Sequence, residues 1–122
     1  MRAHLSLAAL LPVLATAQTP DSLLYREVEV IRTAHGVPHI RAQNLRAGAY
    51  ALAWLQLEDH GPRTAMNVLR ARGWMGRVFG HDSIESDFIY RRARARAIET
   101  YHLLEQDTRD YYEGFAAGIN RY

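Results

Sequence analysis

The stretch "AHGVPHIRA", residues 34–42, sets His35 and His39 four residues apart, the spacing that on a helix aims two imidazoles at one metal ion. The zinc arrangement needs a Glu between the two and a third ligand at recognisable spacing, whereas here the intervening residues are Gly, Val and Pro. Pro38 argues against the helix, so both histidines are assigned to turn and strand geometry. A second group, "LEDH", offers Glu58, Asp59 and His60 for acid–base work or ion binding. The simpler role is a buried Asp59 that fixes the end of an apolar helix, with Arg63 or another arginine as partner. A third, "HDS", holds the three side-chain types of a hydrolytic triad in His81, Asp82 and Ser83. Triads are assembled by folding from distant segments, adjacent residues point apart, and no "GxSxG" elbow occurs in the chain. A fourth, "RRARAR", concentrates Arg91, Arg92, Arg94 and Arg96. On a helix these spread around more than half the circumference among Glu85, Asp87 and Glu99, which describes a solvated, ion-paired surface more than a nucleic-acid contact.

The elements that must position these groups follow from pattern. "REVEVIRT" alternates, with Val28, Val30 and Arg32 on one side and Glu27, Glu29 and Ile31 on the other, and "VPHIRA" is again extended. Gly36 suits the positive-φ position of a turn, and Pro38 suits the start of an edge strand, which together predict a β-hairpin. Asn44 is the expected N-cap of a first helix, "LRAGAYALAWLQLEDH", apolar over much of its circumference. Gly61 and Pro62 should separate it from a second helix, "PRTAMNVLRAR", which stops near Gly73. Val78, Phe79 and Gly80 are expected in a packed turn, and Asp82 or Ser83 as caps. A third helix between residues 86 and 104 rests on the stripe Ile89, Ala93, Ala97 and Tyr101. Asp107 or Thr108 should open a fourth, in which Gly114 and Gly118, four apart, suggest close helix approach. The fold class expected is α+β, a hairpin followed by about four helices.

Bulk properties narrow the function. Residues 1–17, "MRAHLSLAALLPVLATA", run from a basic start through an apolar stretch to an Ala-Thr-Ala ending, the pattern of a secretory signal cleaved after Ala17. That stretch is about half the roughly 20 residues a membrane-spanning helix needs. The mature chain, residues 18–122, is then expected to be exported, with no membrane attachment. It contains no cysteine, so neither a disulfide framework nor a thiol nucleophile is available. All 15 basic residues are arginine and 13 acidic residues nearly balance them, leaving a formal charge of +2 and no general attraction to nucleic acid.

Taken in order, "VEVIRTAHGVPHIRAQN", "AYALAWLQLED", "VLRARGWMGRVFGHD" and "YYEGFAAGINRY" resemble the opening of the penicillin acylase family of N-terminal-nucleophile amidohydrolases. The similarity covers nearly all of the mature chain. The chain departs from the family pattern after Asp59, where "HGPR" stands in place of Arg-Leu-Phe-Gln. The resemblance implies an αββα fold to which the hairpin adds strands, with Val37 and Ile40 holding the hairpin onto the helices. It also implies a periplasmic or secreted zymogen that cuts itself into an α chain and a longer β chain. The new N-terminal Ser of the β chain attacks an amide carbonyl with its own α-amine as base. The oxyanion hole, its assisting Asn and most ligands of a structural calcium belong to that β chain.

The chemistry needs a hydroxyl or thiol beside a free terminal amine, whose pKa lies at about 8. Signal cleavage exposes Gln18, and Ser22, Ser83 and Ser86 are internal. No catalytic, cofactor-binding or metal-binding residue is therefore assigned within these 122 residues, and calcium is expected only in the full-length protein. The partners expected are the β chain of the same precursor and a small-molecule N-acyl substrate: a β-lactam, an acyl-homoserine lactone or a lipopeptide. The competing expectation is a self-contained exported helical module that binds a protein through its apolar helix faces.

Overall fold

The computed structural model describes residues 18–122, and the signal segment expected at residues 1–17 lies outside the described residues. A 3-10 turn, Asp21–Glu27, leads into strand β1, Val28–Arg32, which pairs antiparallel with β2, Pro38–Ala42. Helices α1, Leu45–Ala71, α2, Met75–Phe79, α3, Ile84–Thr100, and α4, Gln106–Arg121, follow. A hairpin followed by helices is the α+β arrangement expected, with the lead-in segment helical and seating Leu24 in the core.

The hairpin closes as its residues dictate. The amide of Gly36 donates to the carbonyl of Thr33 at 2.9 Å, with Gly36 at φ 78°, a conformation in which a Cβ would be strained. Pro38 opens β2 opposite Arg32, a position whose missing N–H the pairing does not need. Asn44 then caps α1, its Oδ1 accepting from the Ala47 amide at 2.8 Å while its Nδ2 donates to Glu27 at 2.7 Å.

Gly61 and Pro62 mark the junction of two helical stretches, as expected: the span Leu45–Ala71 joins them across a kink, where His60 leaves helical geometry at φ −138° and ψ 32°. Proline removes one helical hydrogen bond and crowds the carbonyl four residues earlier, so the axis bends. The Thr64 hydroxyl donates across the kink to the Gln56 carbonyl at 3.2 Å.

The core lies where the lead-in turn, the hairpin and the crossing of α1 with α4 meet: Leu24, Ala47, Tyr50 and Ala117, flanked by Val28, Ala42 and Trp54. Small residues dominate because the two helix backbones nearly touch. A Cβ on Gly114 would stand 2.0 Å from the Arg46 carbonyl oxygen, and one on Gly118 would stand 2.4 Å from that of Tyr50. The four-residue glycine spacing does mark close helix approach. Arg46, with 14% of its side chain exposed, pairs with Asp21 of the lead-in turn and, at 3.5 Å, with Glu113 of α4. The Tyr101 hydroxyl donates to the other oxygen of Glu113 at 2.6 Å.

Other expectations differ from the structure, several because apolar faces among the described residues are exposed. Val37 and Ile40 are 53% and 36% exposed, and Val28 and Ala42 hold the hairpin to the helices instead. The α3 stripe is outward-facing, with Ile89 59% exposed and Ala93 and Ala97 exposed beside it. The turn expected at residues 78–80 is the end of α2, with Val78 and Phe79 exposed. α3 begins two residues before the expected start, without a side-chain cap from Ser83, and α4 begins at Gln106 without one from Asp107 or Thr108.

Two outcomes follow. Gly114→Ala should lower unfolding free energy by about 2 to 3 kcal/mol, the cost of overpacking. Gly61→Ala, where a Cβ meets nothing within 4 Å, should be neutral or stabilising by up to about 1 kcal/mol in the same urea titration. The hydrogen bond to Glu113, helped by loss of solvent, holds the Tyr101 phenol above its usual pKa of about 10. A raised folded-state pKa stabilises fully below the unfolded value and is lost as pH rises through the folded one. Tyr101→Phe should therefore lower the melting temperature at about pH 8, and the gap should close as pH climbs above about 10.

Candidate functional site

An open groove of about 700 Å³ lies between β1 and α1. Its walls follow from two periodicities. Val28, Val30 and Arg32 share one side of β1, as period two requires, and Tyr50, Trp54 and Glu58 share one face of α1, as four-residue steps require. Arg121 at the end of α4 reaches the rim, and Tyr122 meets Trp54 edge-on with ring centroids 5.1 Å apart.

A charged clamp stands beside the groove. The Arg32 guanidinium donates to Glu58 Oε2 at 2.7 Å and to Asp59 at 2.8 and 3.3 Å, and it reaches the Gly36 carbonyl at 3.0 Å. The hydrogen bonds it donates to Asp59 and then to Glu58 hold its pKa above the ordinary arginine value. The guanidinium stays charged and its donors are committed, so it pins the hairpin turn to α1 just before the kink. Asp59 is structural as expected, but it is exposed, and its partner is Arg32 from the hairpin in place of Arg63. Alternation along β1 put Arg32 on the same side as Val28 and Val30, which is the signal that could have found the pair.

The remaining groups stay apart. His35 and His39 are exposed on the hairpin, His39 facing Ile31 across the ladder. His81, Asp82 and Ser83 form a 3-10 turn. Arg91, Arg92, Arg94 and Arg96 lie on exposed α3, where Arg96 pairs with Glu99 at 2.9 Å and Arg92 lies over Phe88. Among the described residues no group of three or more His, Cys, Asp or Glu is placed to hold a metal ion. Residues lining the groove include no Ser, Thr, Cys or His. The groove is an open, largely apolar concavity with Arg32 and Glu58 as a paired charged end.

One buried carboxylate had no sequence signal. Asp87 of α3, 8% exposed, accepts the Met75 and Gly76 amides at 2.8 Å each, capping α2 from a neighbouring helix. Arg91, one turn on, donates to the Gly73 carbonyl at 3.0 Å. The polar spacing of α3 marks Asp87 as one more surface acid, since the amides it serves lie in another element.

The penicillin amidase family model matches residues 27–122, and the chain belongs to that family. It is 29% identical over 117 residues to an acyl-homoserine lactone acylase, PvdQ, of Pseudomonas fluorescens, covering 88% of this chain and 15% of that protein. It is 28% identical over 129 residues to the aculeacin-A acylase of Actinoplanes utahensis, covering 90% of this chain and 16% of that one. The structure resembles a thermostable penicillin G acylase from Alcaligenes faecalis, with TM-score 0.66 and 28% identity over 78% of this chain and 52% of that one. The chain thus spans about 15% of the length of the curated relatives it matches.

Asp87→Ala should lower unfolding free energy by about 2 kcal/mol, because two amides lose their acceptor. Asp87→Asn should do nearly as much damage, since an amide NH2 faces one of the two N–H groups it replaces an acceptor for. Urea midpoints of the two variants measure both.

Proposed function

We propose that residues 18–122 are the N-terminal part of the α chain of an exported acylase, preceded by a signal segment at residues 1–17. In this reading the complete protein is a self-cleaving zymogen that hydrolyses a linear N-acyl amide, and the present chain alone is inactive. The observation that carries the reading is the family match, which begins at the hairpin and continues through α4 without supplying a nucleophile. The β chain of the same precursor supplies the N-terminal Ser, whose hydroxyl proton passes to its own α-amine as the oxygen attacks the acyl carbonyl. The amine leaves with that proton, and water completes hydrolysis of the acyl-enzyme.

Calcium belongs in this reading to the full-length enzyme, as the family resemblance implies. Periplasmic or secreted placement rests on the signal pattern, and no described helix is long and apolar enough to cross a membrane. Relatives named for acyl-homoserine lactone and aculeacin A make those amides the first substrates to try, with a β-lactam third. A self-contained interaction module is the weaker reading, because the matched region makes up only about 15% of the relatives' length.

Protein expressed from the complete coding sequence should split into two chains and release free acid from at least one of these substrates. Residues 18–122 alone should show no rate above the buffer blank. Turnover by the isolated chain would overturn the assignment of the nucleophile to a second chain.

A further inference from the structure

Asp87 and Arg91 stand four residues apart on α3, the spacing at which an acid and an arginine ordinarily pair along a helix. They do not pair here. Both oxygens of Asp87 accept α2 amides, from Met75 and Gly76, and Arg91 spends its Nε on the Gly73 carbonyl. Among the described residues no carboxylate forms an ion pair with Arg91, nor with Arg77 of α2, whose guanidinium lies 5.7 Å from the centre of the Trp74 ring.

These three side chains meet at one cleft. A concavity of about 340 Å³ between α2 and α3 is lined by Gly76, Arg77, Ile84, Asp87, Phe88 and Arg91. That volume lies at the small end of the range for ligand clefts, roughly 300 to 1,000 Å³, so it suits a small molecule. The floor is open because Gly76 has no side chain: a Cβ there would stand 3.1 Å from Asp87 Oδ2 and 3.4 Å from Ile84 Cγ1. Gly73 makes room for Arg91 in the same way, since a Cβ on it would stand 2.5 Å from Arg91 Cγ. Two guanidinium charges against one carboxylate leave a single positive charge, and that carboxylate already serves two amides. An incoming acceptor therefore meets two guanidinium groups without an acidic partner. Ile84 and Phe88, more than half exposed, add apolar surface beside them.

We propose that the cleft between α2 and α3 binds a small monoanion with an apolar chain: a carboxylate held by Arg77 and Arg91, its alkyl part covering Ile84 and Phe88. A single net positive charge is matched by one carboxylate, whereas a phosphate dianion would leave the cleft negative. The bond from Arg91 to the Gly73 carbonyl fixes that guanidinium before the ligand arrives, which lowers the ordering cost of binding. The site is read from α2 and α3 alone and does not depend on the acylase reading, although the acid freed from an N-acyl amide is a compound of this chemistry.

The test is calorimetric titration of octanoate into the mature protein made from the complete coding sequence, beside acetate, which lacks the chain, and 1-octanol, which lacks the charge. Octanoate should bind saturably and about tenfold or more tighter than either, the worth of one charge-assisted hydrogen bond. Arg77→Gln should weaken octanoate by about tenfold or more and Arg77→Lys by less, with melting temperatures unchanged, because Arg77 carries no ion pair for the fold to lose. Ile84→Ser should weaken octanoate and leave acetate as it was. No binding by the wild type would overturn the proposal. Equal octanoate affinity in the wild type, Arg77→Gln and Ile84→Ser would also overturn it, because the acid would then sit elsewhere. Hydrolysis of an N-octanoyl amide by the same samples separates the two readings. An unchanged kcat/KM in Arg77→Gln with octanoate binding lost places the cleft apart from the reaction, and a parallel loss of both defeats the proposal. Binding without hydrolysis by the wild type leaves the cleft standing and defeats the acylase reading.

Discussion

Two missing side chains on α4 govern the rest of the architecture. Because Gly114 and Gly118 carry no Cβ, the α4 backbone lies against the Arg46 and Tyr50 carbonyls of α1, and the crossing needs little side-chain volume to seal. That is why alanines serve at Ala47 and Ala117 and a single leucine, Leu24, completes the centre. The hairpin packs through Val28 and Ala42 onto a platform whose height the glycines set. Arg46 shares its charge between Asp21 and Glu113 at the same crossing, so ionic and steric constraints fall on one place.

Much of this was legible in the residues. Gly36 and Pro38 announced the hairpin, Asn44 the start of α1 and the glycine pair the helix contact, because each is a local backbone requirement that few side chains meet. Burial was less legible. Ile89, Ala93 and Ala97 have helical spacing, yet they face solvent, since periodicity shows which residues share a face and says nothing of what covers it. Pro62 was legible as the place where the two stretches of α1 meet at a kink, because proline cannot complete the helical hydrogen bonding there. Arg32 with Asp59 and Asp87 with the α2 amides are contacts across 27 and 12 residues, which no local pattern encodes.

The candidate site joins these levels. Alternation along β1 and four-residue steps along α1 turn one strand side and one helix face toward each other, and the Arg32 clamp fixes their angle. The result is an open, largely apolar surface on which Tyr25 and Tyr50 supply the only hydroxyls among the lining residues.

The cap that α3 supplies to α2 ties two elements into one cooperative unit. α2 has five residues, far too few to persist as an isolated helix, and its leading amides are satisfied only while Asp87 is in place. Any fluctuation that lifts α3 away unwinds α2 with it, so the span from Gly73 to the middle of α3 opens and closes as a single event. A long, solvent-facing helix is thereby kept in register by its first turns.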